Sequence, residues 1–89
     1  MFNKRRSEIQ IIETILDLTK NGAKKTEILY QSNTSFSQLQ SYLSFLIEHN
    51  MIKENIQETE GKSSRKLYVT TDKGNSLLKD INNLYTYFK

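Results

Sequence analysis

The sequence has no cysteine, proline or tryptophan, and only three glycines and one histidine in 89 residues. Without cysteine there is no disulfide, thiolate nucleophile or cysteine-based zinc site. The single histidine, His49, has no second histidine or cysteine with which to share a metal. At a predicted helix end it reads as a capping or surface group rather than a ligand or base. The glycines, Gly22, Gly61 and Gly74, are scattered, so no phosphate-cradling loop exists. No serine has glycines two residues to either side, the pattern of a nucleophile elbow. Carboxylates are dispersed and mostly alternate with lysines, as on a solvated surface. No catalytic constellation results, and no enzyme, metal, cofactor or small-molecule ligand is expected. Long apolar runs are also missing, so no membrane span is expected. Residues 1–6 are basic but lack the apolar stretch of a secretory signal, and none is expected there.

What is present fits a folded domain. Hydrophobic residues make up 36% and charged residues 26%, the balance of a soluble globular chain rather than a disordered one. Eighty-nine residues suffice for one domain with a thin stability margin, so pairing with a second copy is an early expectation. The net charge of +3 and the pI of about 9.2 favour an anionic partner only mildly. Where the charge sits must therefore carry the argument.

The chain divides into helix, helix, helix, hairpin, helix. Residues 6–19 place Ile9, Ile12, Ile15 and Leu16 at helical spacing, with Ser7 as the expected N-cap or a start at Arg6 or Arg5 as the alternative, and Asn21-Gly22 as the stop. Residues 26–31 form a short second helix capped by Thr26, with Ile28, Leu29 and Tyr30 as its apolar surface. Residues 35–48 carry Phe36, Leu39, Leu43, Leu46 and Ile47 in a continuous stripe. Ser35 and Gln38 have capping-box spacing, and a frame shifted to Thr34 has it too. His49-Asn50 is the exit.

The period then changes to two. Ile52, Glu54 and Ile56 share one strand face, residues 60–64 make a polar tip, and residues 66–70 form a second strand around Tyr68 and Val69. Thr71 caps a last helix whose apolar positions are Leu77, Leu78, Ile81, Leu84, Tyr85 and Phe88. The expected fold is α+β, mainly α. Its parts are a basic arm (1–6), a three-helix core (7–50), a wing hairpin (51–70) and a C-terminal helix (71–89), in one domain.

The basic residues cluster as Lys4, Arg5 and Arg6, as Lys24 and Lys25, and as Lys62, Arg65 and Lys66 around the hairpin tip. Each cluster alone reads as ordinary solvated surface. Together they flank two helices joined by a short turn and followed by a hairpin, the layout of a helix-turn-helix with a wing. Arm, second-helix start and wing can then lie along DNA phosphates. The third helix becomes the reader, with Ser35 at its start and Ser37, Gln38, Gln40, Ser41 and Ser44 facing outward, residue types that can contact base edges. No lysine or arginine occurs from residue 35 to 50, and Glu58 and Glu60 offset part of the wing charge. An uncharged solvent-facing helix in a protein-interaction module has the same appearance. In the last helix Leu77, Leu78 and Ile81 can cover the core. Leu77, Ile81, Leu84, Tyr85 and Phe88 form the candidate surface for a two-fold dimer, with the alternative of a helix folded fully back on its own domain.

The sequence resembles the archaeal winged-helix regulators and small dimeric chromatin-type proteins of similar size. The resemblance rests on Arg6-Ser7-Glu8-Ile9-Gln10-Ile11-Ile12 with Ile15-Leu16, and on Gly22-Ala23-Lys24-Lys25-Thr26-Glu27-Ile28-Leu29-Tyr30. It continues with Asn33-Thr34-Ser35-Phe36, Tyr42-Leu43 and Leu46, then Tyr68-Val69-Thr70-Thr71-Asp72-Lys73-Gly74 and Leu77-Leu78. It implies double-stranded DNA binding in transcription regulation or chromatin, a homodimer through the last helix, and a cytoplasmic, nucleoid-associated place. Such relatives often carry lysine or arginine near the positions held here by Ser37, Gln40 and Ser41. Their absence shifts the expected affinity to the arm and wing.

Overall fold

Apolar residues at three- and four-residue steps become helix wherever that spacing occurs. A computed structural model describes residues 8–58 and 64–87. It shows α1 (Glu8–Leu18), α2 (Lys25–Ser32), α3 (Phe36–Glu48), β1 (Ile52–Glu58), β2 (Ser64–Thr70) and α4 (Asp72–Thr86). This is the expected mainly helical α+β architecture of three helices, a hairpin and a C-terminal helix. Ser7, the arm and residues 59–63 at the wing tip lie outside the described residues.

Every element contributes to one core. α1 supplies Ile11, Ile15 and Leu16, and α2 supplies Ile28. α3 supplies Leu39, Leu43 and Leu46. The strands add Ile52 and Tyr68, and α4 adds Leu78. Two expected stripes are rotated or shortened. In α1 the inward position is Ile11, with Ile12 half-buried and Ile9 on the outside. Adjacent isoleucines satisfy the helical period in either frame, and the packing partner selects one. Phe36, expected at the head of the α3 stripe, is 61% exposed. As the first residue of α3 it lies beyond the end of the core. Tyr30 also points outward, because two turns of α2 can bury only one face, here Ile28 and Ser32.

Local capping places the helix starts. Ser35 Oγ accepts from the Gln38 N–H at 3.2 Å and Gln38 Oε1 accepts from the Ser35 N–H at 3.1 Å, so the frame at Ser35 is used rather than that at Thr34. Thr71 Oγ1 caps α4 by accepting from the Gly74 N–H at 3.0 Å. The second helix corrects the sequence expectation. Its N-cap is Lys24, two residues before Thr26, and Glu27 Oε1 accepts from the Lys24 N–H at 3.1 Å. A lysine ammonium cannot accept, so only the glutamate arm of that box exists. Asn33, at φ 56, ends α2 in the left-handed conformation that asparagine tolerates.

The strands pair antiparallel, from Ile52 opposite Thr70 to Glu58 opposite Ser64. Ala23 adds a one-residue bridge to Tyr68, with mutual N–H to carbonyl bonds of 3.0 and 2.9 Å. Gly22, at φ +89, makes the turn into that bridge. The hairpin is thereby tied to the loop between α1 and α2.

A buried hydroxyl pair pins the base of the hairpin to α1. Thr70 Oγ1 donates to the Leu16 carbonyl at 2.7 Å and lies 2.6 Å from Thr19 Oγ1, with both threonines buried. The Thr70 N–H also bonds the Thr19 carbonyl at 2.9 Å. Thr70→Val keeps the shape but removes the donor to the buried Leu16 carbonyl, while the Thr19 hydroxyl keeps its bond to the Ile15 carbonyl at 2.9 Å. The expected loss is about 1–3 kcal/mol, read from urea unfolding at unchanged slope. A loss below a few tenths would show that water replaces the bond.

Candidate nucleic-acid interface

α2, the turn at residues 33–35 and α3 form a helix-turn-helix whose second helix turns a polar face to solvent. Ser35, Ser37, Gln38, Gln40, Ser41 and Ser44 are all exposed on or at the start of α3. Their hydrogen-bonding capacity is unequal. Ser35 and Gln38 are engaged with each other's backbone in the capping box, which leaves the Gln38 side-chain NH2 outward. Ser37 Oγ lies 3.4 Å from Ser35 Oγ, and the Ser41 hydroxyl donates to the Ser37 carbonyl at 3.1 Å.

Gln40 is held from the neighbouring helix. Lys25 Nζ donates to Gln40 Oε1, and the same ammonium stands 4.6 Å over the Phe36 ring. Residues read separately in the sequence, one as a phosphate contact and one as a base reader, are thus one cluster. Lys24 is exposed beside it. The exposed Phe36 beneath them was missed because its spacing matched the core stripe.

The wing cation Lys66 forms an ion pair with Glu54 at 3.3 Å. Glu54 faces Tyr68 across the hairpin, and Lys66 faces Ile56, so the two are diagonal neighbours on one face. Strand alternation carried the signal, since residues 52, 54 and 56 share a face. Arg5, Arg6, Lys62 and the Arg65 side chain lie outside the described residues.

A shallow groove between α1 and α3 is lined by Glu8, Ile12, Gln38, Ser41, Tyr42 and Phe45. Phe45 is half exposed and its ring meets that of His49, the residue capping the end of α3, with centroids 4.5 Å apart. No group of three histidine, aspartate or glutamate side chains that could hold a metal occurs among the described residues. No described helix is long and apolar enough to cross a membrane.

The five residues expected at a dimer surface are divided. Ile81 is buried in its own domain and offers no free surface, while Leu77 is partly buried against the core. Leu84 is half exposed, and Phe88 lies outside the described residues. Tyr85 is partly buried and its hydroxyl is shielded from solvent without a hydrogen-bond partner among the described residues. Burial, and secondarily the negative charge of Glu13, push its pKa above the usual tyrosine value. Tyr87, which the sequence reading passed over, is 82% exposed.

A helix-turn-helix followed by a two-stranded wing and a closing helix defines a winged-helix domain. The chain belongs to the winged helix-turn-helix family, whose sequence profile matches residues 5–89. No functionally curated protein matches the sequence significantly. Solved structures with the same fold include smu.1704 from Streptococcus mutans, at 21% identity and a TM-score of 0.82, covering 98% of this chain and 86% of that one. Another is Sso10a-2, a DNA-binding protein from Sulfolobus solfataricus, at 24% identity and 0.72, covering 92% and 81%. A third is a PadR-like transcription factor from Bacteroides fragilis, at 22% identity and 0.70, covering 88% and 81%.

Proposed function

We propose that this protein binds double-stranded DNA, as a transcription regulator or chromatin-associated protein, without catalysing a reaction. The observation that carries the reading is the helix-turn-helix itself. α3 offers an exposed polar face without lysine or arginine, with Lys24 and Lys25 at one side and the wing following. α3 enters the major groove, while arm, α2 start and wing lie along flanking phosphates. The fold shared with a DNA-binding protein and a PadR-like transcription factor supports this. The protein acts as a homodimer, with Leu84, Tyr85 and Phe88 of the last helix as the contact, and works at the nucleoid. The whole chain forms the single binding domain.

The exposed Phe36 and Phe45 and the lack of cations on α3 favour a second reading, a protein-interaction module without DNA. Fluorescence anisotropy with random duplex DNA at about 50 and 200 mM salt separates the two, because counterion release is specific to the phosphate backbone. Four phosphate contacts predict an affinity loss on the order of 100-fold across that range. Light scattering on the same sample is expected to give twice the chain mass. Absence of binding at the lower salt would transfer the function to the interaction reading.

A further inference from the structure

We infer that Lys25 and Gln40 act as one donor-only reading head that selects guanine, a deepening that rests on the DNA-binding reading above. A free glutamine pairs with adenine by using both ends of its amide, the oxygen accepting from N6 and the NH2 donating to N7. In this protein the oxygen is taken. An ammonium carries only hydrogens, so Lys25 Nζ can face only Oε1 of Gln40. That orientation turns the Gln40 NH2 away from α2. The positive charge beside Oε1 also opposes the approach of a second donor such as the adenine amino group. What the pair has left to offer is the Gln40 NH2 and the remaining N–H groups of Lys25, all donors.

The complementary base edge is guanine, whose N7 and O6 are adjacent acceptors; thymine shows only one acceptor, and cytosine shows a donor. Phosphate oxygens would suit the same donors, but position favours a base. Gln40 is the fifth residue of α3, in the N-terminal part of the helix that reaches base edges in this class of fold. Phe36 stands one turn earlier and holds the ammonium over its ring at 4.6 Å. Lys25 is therefore a specificity-determining residue on the helix preceding the reader.

The test is selection of bound duplexes from a randomised pool, with the wild type, Lys25→Met and Gln40→Glu. Gln40 and Phe36 are exposed and Lys25 is partly exposed, and unchanged melting temperatures establish that the variants fold. The wild type is expected to enrich guanine at one fixed position. Lys25→Met frees both ends of Gln40, so the guanine-to-adenine ratio there should fall about tenfold or more. Gln40→Glu, which has no donor, should lose the guanine. Two outcomes overturn the proposal while leaving DNA binding intact. One is a wild type that binds without guanine enrichment. The other is a Lys25→Met variant weakened equally on all sequences, with its salt slope reduced by about one, which would make Lys25 a phosphate contact. Failure of the wild type to bind any duplex at low salt would overturn the DNA-binding reading itself, and this inference with it.

Discussion

Gly74→Ala is expected to destabilise the protein by about 3 kcal/mol or more, an overpacking penalty at the upper end of the usual range. A Cβ built at Gly74 would sit 2.1 Å from the Met51 carbonyl oxygen and 2.6 Å from Thr70 Cγ2. The first is a backbone atom that cannot rotate away. It also accepts the Thr71 N–H at 2.9 Å, the bond that sets the start of α4 against the strand. Relief of the clash therefore means moving α4 from its cap. At an open helix position the same change should stabilise by about 0.5–1 kcal/mol, so the sign alone is diagnostic. Ser76→Ala, at an exposed position of α4, serves as the control and should be neutral or slightly stabilising. For a domain of this size the melting temperature of Gly74→Ala should fall by about 12–24 °C, at roughly 4–8 °C per kcal/mol. A variant melting within a degree or two of the wild type would mean that α4 can shift freely. The stretch from Tyr68 to Gly74, part of the family resemblance in the sequence, thus has a steric cause at its glycine.

The wing gives the largest expected effect on binding. Replacing Lys62, Arg65 and Lys66 together with alanine should lower affinity for random duplex on the order of 100-fold at about 50 mM salt. Three full phosphate contacts would give more, because each adds about 0.9 to the salt slope and thus roughly tenfold or more at that salt. Lys66 is discounted because Glu54 already neutralises it at 3.3 Å. That pair is half exposed and contributes little to stability, so breaking it should leave the fold intact. Glu54→Gln therefore predicts the opposite change, a gain of several-fold in affinity with a steeper salt slope, as Lys66 becomes available to phosphate. Unchanged affinity and slope in the triple variant would remove the wing from the interface. A neutral effect of Glu54→Gln alone would place Lys66 away from DNA while leaving the tip in contact.

The features that were legible in the sequence are those with short-range causes. Ser35 with Gln38, and Thr71 with Gly74, are capping contacts between residues three apart, so spacing reveals them. The change of period from helical to alternating after Asn50 marks the hairpin for the same reason. Thr26 was the exception. It has the residue type of a cap, but Glu27 reaches back to Lys24, and a glutamate three residues after the true cap was the available signal. Ile9 against Ile11 was not decidable, since both fit a 3.6-residue period and only the packing of α2 and α4 on α1 breaks the tie.

By itself, then, the sequence determined the element order, the winged architecture, the absence of cysteine chemistry and the lack of lysine and arginine on α3. All of these are set by composition and by neighbours within one or two turns. The tertiary structure alone decided which polar and apolar groups remain available. It turned Phe36 outward and Ile81 inward, joined Ala23 to Tyr68, and spent Lys66 on Glu54 and Gln40 on Lys25. Each of these contacts, like the exposure of each side chain, depends on where two separate elements meet. No local periodicity carries that information, because it arises only when the elements compete for one small core.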